Sequence, residues 1–458
     1  FPPLAKAGIR QAINGPFTFA PDGNPLVGPV PGLRNFWCAC GVMAGFSQGG
    51  GVGLMLSQWL VEGEPEVDIF AMDVGRFGDF ASRGYTRAKV QENYSRRFSI
   101  TYPNEELPAG RPLRTTPAYD LLKARGAVFG ASVGLEHPLW FAAPGEDTVE
   151  TPTFRRSNAF GPTGEEARAV REAAGVLEIA SYAKHEVSGP GAEALLDRLL
   201  AGRLPKPGRM TLSPMLSPKG RLLGDLTVAR LADDRFLIVG SAAAQEVHQR
   251  WFADHAPASG VTLRNRTRDL AGFAIAGPNA RELLARLTDE DVSADAFPFR
   301  SVRRFDVGLT DAWVARISYT GELGYEIYSP VDHQRTMLEA LLAAGEGLGV
   351  RLFGGRALNA LRLEKGFGAW LREFAPSYGP VESGLDRFIA DKPGYIGRDA
   401  YLASREKPPA RRLVLLDIEA NGADAARDEP VDAGDRTVGF VTSGGYGHTI
   451  GRSLALAY

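Results

Sequence analysis

The chain has 458 residues, too many for one ordinary domain, and two to four domains are expected. Its 44% hydrophobic and 23% charged residues are those of a globular protein. The 52 Lys and Arg residues nearly balance the 54 Asp and Glu residues, which removes the electrostatic case for nucleic acid or an anionic membrane as a partner. No apolar run approaches the roughly 18 residues of a membrane span.

Residues 1–62 read as the end of an α/β domain. The apolar run 35–40 predicts a short buried strand, a glycine-rich loop follows over 45–51, and a helix carries Leu54 and Trp59. A strand, a glycine loop and a helix in this order offer backbone N–H groups to an electron-rich ligand.

The only two cysteines, Cys38 and Cys40, lie in that strand. Their spacing disfavours a disulfide between them, and without a neighbouring His or further Cys it is a poor zinc signal. We expect buried thiols in a reducing compartment and no metal site. The chain starts at Phe1 and not Met, and its opening residues do not form a signal peptide, so localisation cannot be read from this start. The expected location is the cytoplasm, or the mitochondrial matrix if the source is eukaryotic.

Residues 63–118 are irregular and predict a connector that packs on both neighbours. A new domain begins at about residue 119. Within it, Thr163 and Glu166 have the spacing of a capping box for a helix that runs to about Ala174.

An internal repeat lies in this domain. Residues 187–199 match residues 275–287 at an offset of 275 − 187 = 88 positions. Each copy reads as a strand, a Gly-Pro turn and a helix with a leucine stripe, which predicts two similar α+β halves with any ligand held between them. The alternative is a common opening from a turn into a helix.

The strands after each copy carry the candidate site residues. In 220–228 the alternation places Asp225 on the face opposite Leu226 and Val228. Residues 316–328 read as a strand, a glycine-bracketed turn and a second strand, which would present Tyr319 and Glu326 to one pocket. A carboxylate there suits the amino-pyrimidine edge of a pterin, because it accepts two N–H bonds. The alternative is an ordinary hairpin with a solvated Glu.

The glycine loop resembles the late FAD loop of the sarcosine oxidase and dehydrogenase family, in which the loop lies against the flavin ring. The resemblance implies that the loop residues contact FAD. A departure is Val52, because simple sarcosine oxidases have a lysine near the substrate carboxylate there. The implied FAD contacts are Gly45, Phe46, Ser47, Gln48, Gly49 and Gly50.

Residues 119–458 resemble the aminomethyltransferase (glycine-cleavage T-protein) fold. The matching blocks surround Asp225 and cover 319–326, 361–366, 380–385 and 442–445. An FAD lobe, a connector and a folate domain in this order look like the dimethylglycine and sarcosine dehydrogenase family. The resemblance implies an α+β multidomain chain. Residues 1–62 would be the end of a flavin-binding, amino-acid-oxidase-like α/β domain, and residues 63–118 a connector. Residues 119–400 would form a two-half α+β folate-binding domain, and residues 408–458 an incomplete C-terminal β-barrel module.

Two departures accompany this resemblance. The G-x-G-x-x-G nucleotide fingerprint of the family does not occur in the sequence, so the chain looks like a C-terminal portion of a longer protein. Leu358 also stands where T-proteins carry an arginine, and either Arg356 or Arg362 is a candidate replacement.

The function implied by the family is FAD-dependent oxidative demethylation of an N-methyl amine, dimethylglycine or sarcosine, with either an electron-transfer flavoprotein or oxygen as electron acceptor. Tetrahydrofolate would capture the one-carbon unit as 5,10-methylene-tetrahydrofolate. Asp225 is the candidate catalytic carboxylate, which accepts a proton or stabilises a developing cation. The implied folate contacts are Tyr319, Glu326, Ile327, Tyr328, Arg362 and Tyr395.

Three rival interpretations remain open from the sequence. A stand-alone aminomethyltransferase would have no need of the glycine loop. A folate-binding assembly factor for iron–sulfur proteins resembles the chain over 392–399, but carries a cysteine where Gly394 stands. The third interpretation is that the chain is a folate-binding module without catalytic activity of its own.

Overall fold

The structure, a computed structural model, describes residues 2–458, so residue 1 of the predicted 1–62 segment lies outside it. The first strands, β1 (Leu26–Pro29) and β2 (Trp37–Cys40), pair antiparallel. Helix α1 (Gly45–Glu62) follows and ends at Gly63, whose positive φ of 86° terminates the helix in the left-handed conformation.

Three expectations for this part are wrong. The predicted strand over 35–40 forms only over β2, and it is half-exposed because a single strand pairs with it. The two thiols are not buried, since Cys40 is exposed and Cys38 is intermediate. The glycines of 45–51 form the first turns of α1 and not a loop before it.

The connector is tied to both of its neighbours by ion pairs. It contains α2 (Arg83–Ser95), which is N-capped by the Ser82 hydroxyl. Arg76 Nε lies 2.7 Å from Asp22 Oδ2 in the first part. On the other side, both Asp73 oxygens accept from Arg250, at 2.8 and 2.6 Å.

The third part opens with two layers that cover one end of the larger domain. Its elements are α3 (Tyr119–Ala124), β3 (Ala127–Ser132), β4 (Leu135–Phe141) and α4 (Phe160–Glu172). Strands β3 and β4 form an antiparallel hairpin.

The capping box predicted for α4 is wrong, because the helix begins before it. Thr163 already lies inside the first turn. Glu166 instead reaches across the fold and accepts from the backbone N–H groups of Phe141, at 2.7 Å, and Gly354, at 2.8 Å. Burial raises the pKa of Glu166 to about 8. Its carboxyl joins β4 to the turn that precedes a later helix.

The first half of the domain is a five-stranded sheet with two helices on one face. Strand β5 (Ala174–Glu178) comes before it in the chain and belongs to the six-stranded sheet of the second half. The elements of the first half are β6 (Ala183–Ser188), α5 (Ala192–Leu199), β7 (Arg209–Leu216), β8 (Leu222–Ala232), β9 (Arg235–Gly240), α6 (Gln245–His255) and β10 (Thr262–Asn265). The order in this sheet is β10-β6-β9-β8-β7, and all its pairs are antiparallel.

The second half is a six-stranded sheet built in the same way. Its elements are β11 (Leu270–Ala276), α7 (Ala280–Ala285), β12 (Val302–Val307), β13 (Thr310–Ala315), β14 (Gly324–Pro330), α8 (Gln334–Ala344), β15 (Val350–Leu352) and α9 (Gly355–Glu364). The order in this sheet is β12-β13-β14-β11-β5-β15.

The internal repeat is confirmed by these two sheets. Strand β6 leads through Gly189 into α5, as β11 leads through Gly277 into α7, and both glycines have positive φ, 107° and 134°. The next three strands then take the same places: β6-β9-β8-β7 in one sheet and β11-β14-β13-β12 in the other. The two sheets continue into each other at their β7 and β12 edges, where Met210 N donates to Arg300 O at 3.0 Å.

Each sheet packs its helices on one face and faces the other sheet with the opposite one. In β8, Leu226 and Val228 are buried against α5 and α6, whereas Ala229 joins the core between the sheets. In β14, Ile327 packs under α7 and α8, and Tyr328 joins the core between the sheets. The predicted alternation therefore places the Asp225 and Glu326 side chains on the inward faces of their sheets.

The last part is a four-stranded antiparallel sheet preceded by two helices. Its elements are α10 (Pro380–Ser383), α11 (Arg398–Arg405), β16 (Val414–Ile418), β17 (Pro430–Ala433), β18 (Arg436–Gly447) and β19 (Arg452–Ala457). The strand order is β16-β19-β18-β17, and the hairpin between β18 and β19 lies near α9. The chain is thus an α+β multidomain protein.

Candidate functional site

A small cavity lies at the inner ends of the strands of the second sheet. It has about 10 Å³ of cavity volume within about 270 Å³ of space that includes open solvent, and it is lined by Leu177, Tyr182, Ala274, Ile275, Ala276, Ile317, Ser318, Tyr319, Thr320, Glu326, Phe353 and Leu358. Tyr319 and Glu326 therefore line one cavity, as the sequence predicts. The predicted first strand is wrong, because β13 ends at Ala315 and residues 316–323 form a loop before β14.

Tyr319 is held in the cavity wall by its hydroxyl and its ring. The hydroxyl donates to Gly368 O at 2.6 Å, and the ring packs edge-on against Phe367 with 5.7 Å between centroids. The ammonium of Lys365 lies 5.9 Å from the same ring. Burial raises the pKa of the Tyr319 phenol, so this side chain acts as a neutral hydrogen-bonding aromatic.

Glu326 forms the polar part of the cavity wall. Tyr328 donates its phenol proton to Glu326 Oε2 at 2.5 Å, which leaves the remaining lone pairs of the carboxylate to other donors. Burial raises the pKa of Glu326, while the bond from Tyr328 and the charge of Lys184 act in the opposite direction.

Asp225 lies on β8, opposite Pro214 of β7, and is partly exposed. Burial raises its pKa from 3.8 to about 7, and the nearby carboxylate of Glu373 acts in the same direction. Its negative charge also contributes to the raised pKa of Tyr319, after burial. A carboxyl group with a pKa near neutrality suits proton transfer at physiological pH. Asp225 is not part of the cavity wall, but it lies near Tyr319.

Three other predicted folate contacts are placed differently. Ile327 points to the opposite face of β14 and is buried under α7 and α8. Arg362 is buried and bonded to Glu373 at 2.8 Å and to Asn359. Tyr395 is buried in a separate cluster next to α11. These three side chains are engaged by the protein itself, so the structure does not bring them to the cavity.

The predicted flavin contacts lie together in the first turns of α1. Phe46 is fully exposed, and a Cβ added at Gly45, Gly49 or Gly50 would meet no atom within 4 Å. An open surface of bare backbone fits a flat ring that packs against the chain. The residues therefore fit part of an FAD site.

Lys184 is a buried residue near Glu326 that the sequence reasoning missed. It is fully buried on β6, and its ammonium lies near the ring of Tyr328, 6.0 Å from the centroid. A lysine in a strand normally indicates an exposed position, so the sequence holds no signal for this one.

Arg171 joins the Tyr319 loop to other parts of the fold. One guanidinium nitrogen donates to Glu322 at 2.6 Å and another to Glu364, at the end of α9, at 2.9 Å. Glu364 also accepts from the backbone N–H of Thr449, in the β18–β19 hairpin, at 2.7 Å.

Within residues 2–458, no group of three or more His, Cys, Asp or Glu side chains is arranged to hold a metal ion. No helix of that range is long and apolar enough to cross a membrane.

Family models match three segments of the chain between residues 62 and 458. The GCVT N-terminal domain matches residues 118–392, the FAD dependent oxidoreductase central domain matches 62–116, and the glycine cleavage T-protein C-terminal barrel domain matches 411–458. The chain belongs to the glycine-cleavage T-protein family. The crystal structure of aminomethyltransferase T from Bartonella henselae agrees, with a TM-score of 0.64 and 26% identity over 75% of this chain and 89% of that one.

Relatives that align over the whole of this chain include dehydrogenases and an oxidase. Mitochondrial dimethylglycine dehydrogenase of Mus musculus is 39% identical over 100% of this chain and 53% of its own length. A 4-methylaminobutanoate oxidase (formaldehyde-forming) of Paenarthrobacter nicotinovorans is 34% identical over 100% of this chain and 56% of its own. The resemblance to the dimethylglycine and sarcosine dehydrogenase family is thereby confirmed, and the chain spans about half the length of these relatives.

Proposed function

We propose that the chain is the folate-binding portion of an FAD-dependent oxidoreductase that demethylates an N-methyl amino acid, dimethylglycine or sarcosine. The observation that carries this proposal is the placement of Tyr319 and Glu326 in one cavity wall, with Asp225 near Tyr319, between two halves of a T-protein fold. The names of both relatives refer to N-methylated amino acids, which supports this substrate class.

The reaction separates into an oxidation and a capture of the carbon. FAD, when bound, would supply the oxidation of the N-methyl amine. Tetrahydrofolate, when bound, would capture the one-carbon unit as 5,10-methylene-tetrahydrofolate, with loss of the demethylated amine and of one proton on ring closure. The electron acceptor stays a prediction and is either an electron-transfer flavoprotein or oxygen. The location, the mitochondrial matrix or the cytoplasm, also stays a prediction.

The side chains divide the folate chemistry between them. Glu326, as a carboxylate, accepts N–H bonds from the amino-pyrimidine edge of the pterin. Tyr319 packs on the ring system, and Tyr328 fixes the Glu326 carboxylate by its 2.5 Å bond. Asp225, whose pKa lies at about 7, accepts the proton released by ring closure.

Calorimetric titration of the 458-residue chain with tetrahydrofolate tests the binding half of the proposal. We expect saturable binding that Glu326→Gln weakens by about 10- to 100-fold, because hydrogen bonds to a charged group contribute about 1.5–3 kcal/mol. Glu339→Gln, an exposed position on α8, is the matched control and keeps the parent affinity. A folded parent chain that gives no binding heat, or an unchanged Glu326→Gln variant, contradicts the proposal.

The catalytic half is tested with Asp225→Asn in the longer protein. Folate-coupled product falls, while oxidation of the amine continues and the carbon appears as formaldehyde. Equal loss of both activities contradicts the role of Asp225. A parent enzyme that forms only formaldehyde in the presence of tetrahydrofolate favours the second candidate function, a formaldehyde-forming oxidase like the Paenarthrobacter relative.

A further inference from the structure

The ammonium group of Lys184 is fixed in the core between the two sheets. The side chain is fully buried, and Nζ donates to three backbone carbonyls: Tyr182 O at 2.8 Å, Ala180 O at 3.0 Å and Ile179 O at 3.4 Å. A lysine ammonium has three donors and no acceptor. The three carbonyls therefore match the charged form and hold it in one position.

The groups around this ammonium are acids and phenols. Burial lowers the pKa of Lys184 to about 7, while Glu326 and Glu178 act in the opposite direction. Tyr328 lies over it, and Tyr182 supplies one of its carbonyls and faces Glu326. Glu178 is already occupied, since Thr116 and Gln334 each donate to its Oε1 at 2.6 Å. Glu326 is therefore the acid near Lys184 that also faces the cavity.

We propose that Lys184 is a positioning residue of the folate site, whose anchored ammonium keeps Glu326 in its carboxylate form and so able to accept the pterin N–H groups. The inference rests on the proposed folate role of Glu326. Lys184 does not touch the ligand, because its three donors are used by the carbonyls.

The physical basis is the cost of a buried carboxylate. A carboxyl group on a partly dry wall favours its neutral form unless positive charge or hydrogen bonds compensate it. A neutral carboxyl has a donor of its own and fewer acceptor sites, so it is a poorer partner for two N–H groups. The Lys184 ammonium attracts the Glu326 carboxylate without direct contact, because Coulombic attraction is strong in a medium of low dielectric constant. Since the ammonium is already fixed, its side chain loses no conformational entropy when ligand binds.

The test is the pH profile of tetrahydrofolate binding to Lys184→Met, measured by calorimetry on the 458-residue chain. Without the ammonium, Glu326 ionises at higher pH, so the pH at which binding is half-maximal moves upward by about one unit, a tenfold loss of affinity below that pH. At alkaline pH the affinity of the variant returns to within about twofold of the parent. Lys206→Met, at an exposed lysine, is the control and leaves the profile unchanged.

A second comparison separates this role from a packing role. In the Glu326→Gln background there is no carboxylate to keep ionised, so adding Lys184→Met costs no further affinity and causes no pH shift. A uniform loss of affinity at every pH, or a pH shift that persists with Glu326→Gln, overturns the inference. The second result would assign the shift to Glu178.

The inference stays testable if Lys184→Met does not fold. Glu326→Gln should then restore folding of the double variant, because it removes the buried charge that Lys184 compensates, and failure to restore it overturns the inference. If Glu326→Gln alone binds tetrahydrofolate as tightly as the parent, both the proposed folate role of Glu326 and the inference about Lys184 are contradicted. Weakened binding by Glu326→Gln with an unshifted Lys184→Met profile would remove the inference only.

Discussion

The two halves of the T-protein domain share one strand order but treat their inward carboxylates differently. Asp225, on the third repeat strand of the first half, lies near the like charge of Glu373, and its pKa is raised to about 7. Glu326, on the fourth repeat strand of the second half, receives a bond from Tyr328 and lies near the ammonium of Lys184. The strand order of the repeat determines where the Asp225 and Glu326 side chains lie, and the charged groups near each one determine its protonation. This difference is the basis for the proposed roles of Asp225 in proton transfer and of Glu326 in binding.

The largest expected effect tests whether the two halves are equivalent in packing. Leu196 and Leu284 occupy the same position in the repeat and are both fully buried. Leu196→Ala and Leu284→Ala should each lower the free energy of unfolding by about 2–5 kcal/mol, through lost apolar contact and a cavity. Chemical denaturation of each variant measures this. A difference of more than about 2 kcal/mol between them would show that the halves pack differently.

A smaller effect should distinguish the two turns of the repeat. A Cβ on Gly277 would lie 2.5 Å from Ala173 O and 2.7 Å from Val170 O, whereas on Gly189 it would lie 2.6 Å from Gly260 O alone. Gly277→Ala should therefore cost about 2–4 kcal/mol and Gly189→Ala about 1–3 kcal/mol, since both also force a side chain into positive φ. Thermal unfolding of the matched pair gives the order, and the reverse order would contradict this account.

The smallest effect concerns the charge of Asp225. Its pKa is higher in the folded chain than its usual 3.8, so the folded state binds the proton more tightly and stability falls as pH rises from about 4 to about 7. Asp225→Asn removes this penalty and should be more stable than the parent above pH 7 and equal to it near pH 4. The expected gain is about 1–2 kcal/mol, less than the roughly 4 kcal/mol of the full pKa shift, because Asp225 is partly exposed and solvent screens its charge. Denaturation across this range measures it, with Asp233→Asn, in an exposed turn, as control. A parent-like pH dependence in Asp225→Asn would contradict the raised pKa of Asp225.

Sequence patterns were sufficient where the signal is local and periodic. The repeat, its Gly-Pro turns and the inward face of Asp225 follow from the spacing of apolar residues, and the structure confirms them. The sequence predicts a loop for the glycines at 45–51, whereas the structure has them in the first turns of α1 despite the low helix propensity of glycine.

Long-range contacts account for what the sequence did not reveal. Glu166 was assigned to a local capping box, yet it bonds Phe141 and Gly354. Lys184 reads as a surface lysine until the carbonyls that surround it are known. Arg362 was a candidate ligand contact, but its partner Glu373 lies in a segment without any pattern.

The guanidinium of Arg171 has a consequence for how ligand enters. It bonds Glu322 in the Tyr319 loop, and through Glu364 it is connected to Thr449 in the β18–β19 hairpin. Opening the loop therefore breaks a charge network shared with the C-terminal module. Among the described residues, that module contributes nothing to the cavity wall. The bonds of Arg171 and Glu364 nevertheless connect that module to the loop that carries Tyr319.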